Sequence, residues 1–576
     1  MSNAHMPSQP RMRGAMRPGQ RARSTSLLLV ILLAGGAPSH STAQEGRVEL
    51  DVVELTAQQI QADYAAGRYT AVELTQAFLD RITTYEDHYN AFISMNPNAL
   101  AIAAMLDREY AANGPRGPLH GVPVVIKDNL DYGGLVTTVG YAGFSVATGG
   151  IDMIPDDDAA AVERLRDAGA IILGKTNMPD FAGDGTRTRS SVAGVTLNPY
   201  DVTRAPGGSS GGTATAVNAS FAVLGLGTET GGSIQNPAAA QALVGVKSTY
   251  GLVPLEGAFP MSGTYVDVVG PLARTVRDAA LVLDVVAGPT TEDLATYAAQ
   301  GHMPEGGYAA ALSDTALVGK RFGLVGPGWR NSYLPLHPET EALYRKAISE
   351  LQTQGAEVVE DPFLESGFKE LYRSRRGGSQ GSYDQYIYFQ GLGEGAAFHS
   401  VEEWEALSGE SFRGRGGRRG DREPRGPARP SATEEGDAFQ AWRMEIRALF
   451  RRVMEEHDLD GLFFPQAGGP IRPLVEDPER PEYSPNNHPE LPSNIINDMG
   501  LPTVTLPYAY YDDGMPFVLA FIGDTWTEAA LLSYAYDLEQ ATRARRAPTL
   551  RMGAGTRGGE GAEAGWGLSV GSAYGR

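Results

Sequence analysis

From residue 51 onward the chain alternates between two hydrophobic periods. In "TAQQIQADYAAGRYTAVELTQAFLDRITTYE" apolar side chains recur every three or four residues, the spacing of a helix with one buried face. "GVPVVIKDN" (121–129) is a continuous apolar run with a polar exit, and it predicts a buried strand. "DDDAAAVERLRDAGA" (156–170) predicts a helix with acidic residues in its first turn, where the helix dipole favours them. "AIILGKTN" (170–177) reads as the next strand. Further on, "TATAVNAS" predicts a helix and "FAVLGLG" a buried strand, and the Gly-rich turn "TETGGSI" (228–234) follows. "NPAAAQAL" then predicts a helix with Asn236 as N-cap and Pro237 at the first helical position. "KRFGLVG" (320–326) reads as a strand, and 338–360 as a helix followed by a strand. This alternation implies an α/β fold: one large domain with a central mixed β-sheet covered by helices on both faces. A length of 576 residues would by itself suggest two to four domains, but no linker interrupts 51–548.

Three segments fall outside that pattern. Five arginines between 11 and 23 precede the apolar run "LLLVILLAGG" (27–36), and Ser41 and Ala43 form a small-x-small site. Residues 1–43 therefore read as a signal peptide cleaved near Ala43, and the protein as exported, periplasmic or secreted. Ten apolar residues are too few to span roughly 30 Å of hydrocarbon, so a stable membrane anchor is not expected. Residues 411–436 carry seven arginines among glycines and prolines and read as a disordered insertion. The Gly-rich tail 552–576 reads the same way.

Composition narrows the chemistry. A net charge of −21 opposes binding to nucleic acid, as does the absence of aromatic residues within the Arg/Gly run. With no cysteine there are no disulfides, thiol nucleophiles or thiolate metal sites. Nine histidines include no pair at a metal-ligand spacing, so neither a metal nor another cofactor is expected. "GAIILGKT" (169–176) has the letters of a phosphate-binding loop, but its variable positions form an apolar strand rather than a curl of exposed N–H groups.

Two kinds of serine chemistry remain open. "APGGSSGG" (205–212) contains a G-x-S-x-G elbow centred on Ser209, which would need a histidine base. The histidines after it, His302, His337, His399, His457 and His488, lie in no segment that reads as a sharp loop after a strand. The alternative is activation by a buried lysine, since burial disfavours the ammonium form. Lys127, at the end of "GVPVVI", is the first candidate, and Lys175 and Lys247 compete with it. Ser233 follows Thr230, Gly231 and Gly232, whose N–H groups are placed to build an oxyanion hole. "YDQYIYFQ" (383–390) fits either an apolar pocket wall or core packing.

These blocks, in order, resemble the amidase signature family: "HGVPVVIKDN", "GAIILGKTN", "APGGSSGG", "GTETGGSIQNPA", "LVGVKSTYGLVP" and "GPLARTVRDAA". "GTET" and the alanine-rich stretch after Ser233 look most like its peptide-amidase-like branch. The resemblance implies that Ser233 attacks, Ser209 bridges from a cis peptide bond, and Lys127 is the base. It implies oxyanion donors in the backbone of Thr230, Gly231, Gly232 and Ser233, with Ser210 and Gly208 in support. It also implies an amide-bond hydrolase that forms an acyl-enzyme and releases ammonia or an amine. Its substrate would be a small molecule or peptide amide: a C-terminal peptide amide, an aryl or alkyl amide, or a carbamate. The protein would act as a monomer or homodimer. The alternative is a His-dependent serine esterase using Ser209. The chain departs from the family pattern at three positions: Glu229 replaces a common Asp, Gln235 a common Arg and Ser248 a common Pro.

Overall fold

The computed structural model describes residues 50–262, 265–329, 335–376, 381–412, 434–475 and 493–552. The expected signal peptide, residues 413–433 of the expected insertion and residues 553–576 of the tail lie outside the described residues. Glu434, at the edge of that insertion, opens a long helix, Glu434–Glu456.

The apolar runs become strands β1 (Phe92–Met95), β2 (Pro123–Lys127) and β3 (Ile171–Thr176), then a small hairpin of β4 (Arg189–Ser190) and β5 (Gly194–Val195). They continue as β6 (Leu224–Glu229), β7 (Val244–Lys247), β8 (Val268–Ala273), β9 (Arg321–Leu324) and β10 (Glu357–Glu360). The last three are β11 (Gly461–Pro465), β12 (Thr503–Tyr510) and β13 (Pro516–Ile522). Eleven of them form one sheet in the order β1-β3-β2-β6-β8-β7-β12-β13-β11-β9-β10. The sheet is mixed. β2 runs parallel to both β3 and β6, and β9 runs parallel to β10 and β11. The other neighbours are antiparallel.

Every residue of β2, β3, β6 and β8 is buried, which accounts for continuous apolar runs in place of alternation: both faces of these strands are covered. Helices Gly211–Asn218 and Gln235–Ala240 pack together and against β6 and β12, while Val276–Val286 and Glu528–Thr542 pack together and against β8 and β12.

Several local expectations are corrected. The first helical run is two helices, Ala57–Ala65 and Ala71–Tyr89. The second is opened by a reciprocal cap, in which the Thr70 hydroxyl accepts from the Glu73 N–H and the Glu73 carboxylate from the Thr70 N–H. The helix expected over 156–170 is Ala160–Asp167, so Asp156, Asp157 and Asp158 precede its first turn. Asp158 instead accepts from the Gly133 N–H and pairs with Arg166. Asn236 is not an N-cap either, because the helix begins one residue earlier, at Gln235.

Candidate active site

β2 and β6 lie side by side, and their carboxyl ends deliver the central residues. Lys127 closes β2 and is fully buried. Its Nζ donates to Ser209 Oγ at 2.7 Å, to Thr228 Oγ1 at 3.0 Å and to the Thr228 carbonyl at 3.1 Å. Thr228 in turn donates to Asn129 Oδ1 at 3.2 Å, so the residues flanking Lys127 and Glu229 are laced together.

Ser209 follows a cis peptide bond from Gly208. Gly208 is required there by space: a Cβ would lie 2.5 Å from the Asp184 carbonyl oxygen. Ser210 ties the loop to both neighbours. Its hydroxyl donates to the Thr228 carbonyl at 3.1 Å, and its N–H donates to the Ser233 carbonyl at 3.2 Å. Lys127 and Ser209, two of the residues implied by the resemblance, are thus in direct contact, and Ser233 is joined to their loop through the Ser210 N–H.

Thr230–Ser233 form the turn between β6 and helix Gln235–Ala240. Gly232 has φ +112°, open only to glycine. The turn is held from both sides. Glu229 Oε2 accepts from the N–H groups of Ile234 (2.8 Å) and Gln235 (3.0 Å). Thr230 Oγ1 donates to Asp267 at 2.6 Å, and Asp267 accepts from the Met261 and Ser262 N–H groups. Among the described residues, the N–H groups of Thr230, Gly231, Gly232 and Ser233 have no protein acceptor. These four N–H groups on one turn remain open to a ligand. Ser233 is 7% exposed, the most open of the three side chains.

The competing lysines have other partners. Lys175 sits between Asp128 (3.4 Å), the Thr137 hydroxyl (2.5 Å) and the Val136 carbonyl. Thr137 and Tyr388 both donate to Asp131 at 2.7 Å, and burial pushes that carboxyl up to about 6. Lys247 donates to the Leu501 carbonyl at 2.6 Å, and burial pushes its ammonium down to about 7, against the attraction of Glu229.

The histidines are elsewhere. His302 stacks on Trp526, His337 caps helix Pro338–Thr353, and His399 bonds the Gly393 carbonyl. The hydroxyl of Ser209 is partnered by lysine. His488 lies outside the described residues. No group of three His, Asp or Glu side chains among the described residues could hold a metal ion.

"YDQYIYFQ" lies in helix Gly381–Gln390, where Phe389 packs with Phe144, Phe259 and Phe398 in an aromatic cluster separate from the main core. Phe259 links this cluster to the site, because its carbonyl accepts from Asn129 Nδ2 at 3.4 Å. An acid-walled cavity, lined by Asp156, Asp157, Asp158, Glu163 and Glu256, includes none of the site residues.

This mixed α/β sheet, with a lysine bonded to a serine at its centre, accords with an amidase, and the chain belongs to the amidase family, whose model matches residues 73–532. It is an amide-hydrolysing enzyme. It is 32% identical over 500 residues to the Glutamyl-tRNA(Gln) amidotransferase A-subunit of Alkaliphilus metalliredigens, covering 85% of this chain and 97% of that one. It is 33% identical to the native peptide amidase from Stenotrophomonas maltophilia, whose structure it matches with a TM-score of 0.69 over 86% of this chain and 99% of that one. The crystal structure of PAM12A matches with a TM-score of 0.72 at 33% identity, over 87% of this chain and 99% of that one.

Proposed function

We propose that the protein hydrolyses carboxamides through a serine acyl-enzyme, with protons relayed between Lys127, Ser209 and Ser233. The observation that carries this reading is the 2.7 Å hydrogen bond from Lys127 Nζ to Ser209 Oγ, in a loop bonded to Ser233. Lys127 accepts a proton from Ser209 as Ser209 takes one from Ser233. Ser233 Oγ then attacks the amide carbon, and the N–H groups of residues 230–233 stabilise the oxyanion. The proton returns through Ser209 to the leaving nitrogen, which departs as ammonia or an amine. Water, deprotonated by the same relay, attacks the acyl carbon and restores Ser233 while releasing the acid.

The first substrates to test are C-terminal peptide amides, since the 33% identity to a peptide amidase favours them over anilides and carbamates. Export is part of the proposal, supported by the arginine-led apolar run and the Ser41–Ala43 site. The test is hydrolysis of a peptide amide, an anilide, a carbamate and an ester by the protein and by Lys127→Ala and Ser233→Ala. Amide hydrolysis that disappears in both variants is expected. Activity that survives without Lys127 overturns the relay and returns the esterase reading. N-terminal sequencing of protein recovered from outside the cytoplasm tests cleavage after Ala43.

A further inference from the structure

Helix Ser493–Met499 brings one side chain against the turn that carries Ser233. A Cβ added to Gly231 would lie 2.4 Å from Asn494 Oδ1 and 3.6 Å from Asn494 Cγ, with no other atom outside residues 230–232 within 4 Å. The side-chain amide of Asn494 therefore rests on the Cα of Gly231. Its oxygen faces the turn and its nitrogen points away.

The helix is fixed from its far end. Asp498 accepts from the Tyr372 hydroxyl at 3.1 Å and pairs with Arg375 at 3.2 Å. The Gly500 carbonyl accepts from the Tyr250 N–H at 3.3 Å, and the Leu501 carbonyl from buried Lys247 at 2.6 Å. Ile495 and Ile496 are buried, whereas Asn494 is exposed. A packed helix holds a recognition group more precisely than a loop does.

The Asn494 amide has no hydrogen-bond partner among the described residues, and neither have the N–H groups of Thr230, Gly231, Gly232 and Ser233 beside it. Its nitrogen carries two hydrogens and accepts nothing, so the ligand group that fits it is an oxygen acceptor. Three kinds of primary amide differ in what they bring next to the scissile carbonyl. An alkyl amide brings only C–H groups. A free amino acid amide brings an ammonium, which has donors and no acceptor. An N-acylated amino amide, which is the end of a peptide, brings a second carbonyl oxygen. Only the last supplies what Asn494 Nδ2 lacks.

We propose that Asn494 is a specificity-determining residue, donating through Nδ2 to the N-acyl carbonyl of the substrate. The proposal rests on the hydrolysis of carboxamides at Ser233, and it adds the residue that reads the acyl side. N-acetyl-leucinamide, leucinamide and isocaproamide share one scissile amide and one isobutyl group, and near neutral pH the amine of leucinamide is protonated. N-acetyl-leucinamide is expected to exceed both others in kcat/KM by about tenfold, the ordinary net worth of one hydrogen bond. Asn494→Leu is expected to lower the ratio of N-acetyl-leucinamide to isocaproamide by about the same factor. Asn494→Asp replaces the donor with a carboxylate and is expected to shift the preference toward leucinamide, a gain that a merely misfolded variant cannot produce. A ratio unchanged in Asn494→Leu, or no gain on leucinamide in Asn494→Asp, would mean that Asn494 binds water only, and would overturn the proposal while leaving amide hydrolysis at Ser233 standing. No hydrolysis of any amide by the unsubstituted protein would bring down the amidase mechanism and the role of Asn494 together.

Discussion

Glu229 and Gln235 close on each other across the turn that carries Ser233. The Gln235 side-chain nitrogen donates to Glu229 Oε1 at 2.5 Å, and the Gln235 backbone N–H donates to Oε2 at 3.0 Å. The family resemblance pairs an acid with an arginine at these positions. Here a longer carboxylate and a neutral amide meet, and backbone N–H groups supply the remaining donors.

Removing that carboxylate loosens the oxyanion turn and leaves buried donors unpaired. Glu229→Ala is expected to destabilise the fold by about 1–3 kcal/mol. It is also expected to lower kcat by roughly a hundredfold, since small displacements at a reacting centre cost that much. Glu229→Gln retains one acceptor and falls between the two. Thermal unfolding and steady-state kinetics check both effects, and an unchanged kcat in Glu229→Ala would show that the turn keeps its shape without the carboxylate.

The relay residues are expected to fail together. Ser209→Ala breaks the path between Lys127 and Ser233, so its kcat on amides is expected to fall by roughly 10²–10⁴-fold, the usual contribution of general acid–base catalysis. Lys127→Ala is expected to fall similarly, and the double variant little further. Additive losses measured on a common amide would mean that the two residues act independently.

Lys247 ties folding to pH. Unfolded, its ammonium keeps a proton to near 10.5; folded, burial lowers that to about 7. Between those values the unfolded chain binds more protons, so this residue makes stability rise with pH, by up to about 1.4 kcal/mol per unit. Below about pH 7 both states are protonated and its slope vanishes. Chemical denaturation from pH 7 to 9 should give Lys247→Met a less positive slope of stability against pH than the unsubstituted protein, the comparison cancelling the buried carboxyls common to both. Equal slopes in the two proteins would place the Lys247 proton elsewhere.

Tyr388 anchors helix Gly381–Gln390 to Asp131, and through Thr137 to Lys175. Tyr388→Phe keeps the ring and removes the donor, at an expected cost of about 1–3 kcal/mol. Equilibrium unfolding measures this. A cost near zero would mean that Thr137 alone satisfies the carboxylate.

What the sequence revealed, and what it concealed, follow from the range of the interactions. The places of Lys127 and Ser233 were legible because both stand where an apolar strand runs out, and the order of the motifs supplied the roles proposed for them. The strands themselves were legible as unbroken apolar runs, a sign of burial on both faces. The start of helix Gln235–Ala240 was misread because the cap chemistry sits in Glu229, on the preceding strand, and not in Asn236. The Tyr388–Asp131 bond, 257 residues apart in the chain, leaves no local trace.

The order of strands in the sheet has an evolutionary consequence. Lys127 and the Ser233 turn issue from β2 and β6, immediate neighbours, whereas β9, β10, β11, β12 and β13 make up the other end of the sheet. The residues proposed to break the bond thus descend from the earlier stretch of the gene, and five neighbouring strands of the sheet from the later one. Drift or recombination in the later stretch can leave the earlier one inherited intact, and a chimera joined between β8 and β9 would carry the proposed relay of one parent against the sheet end of the other.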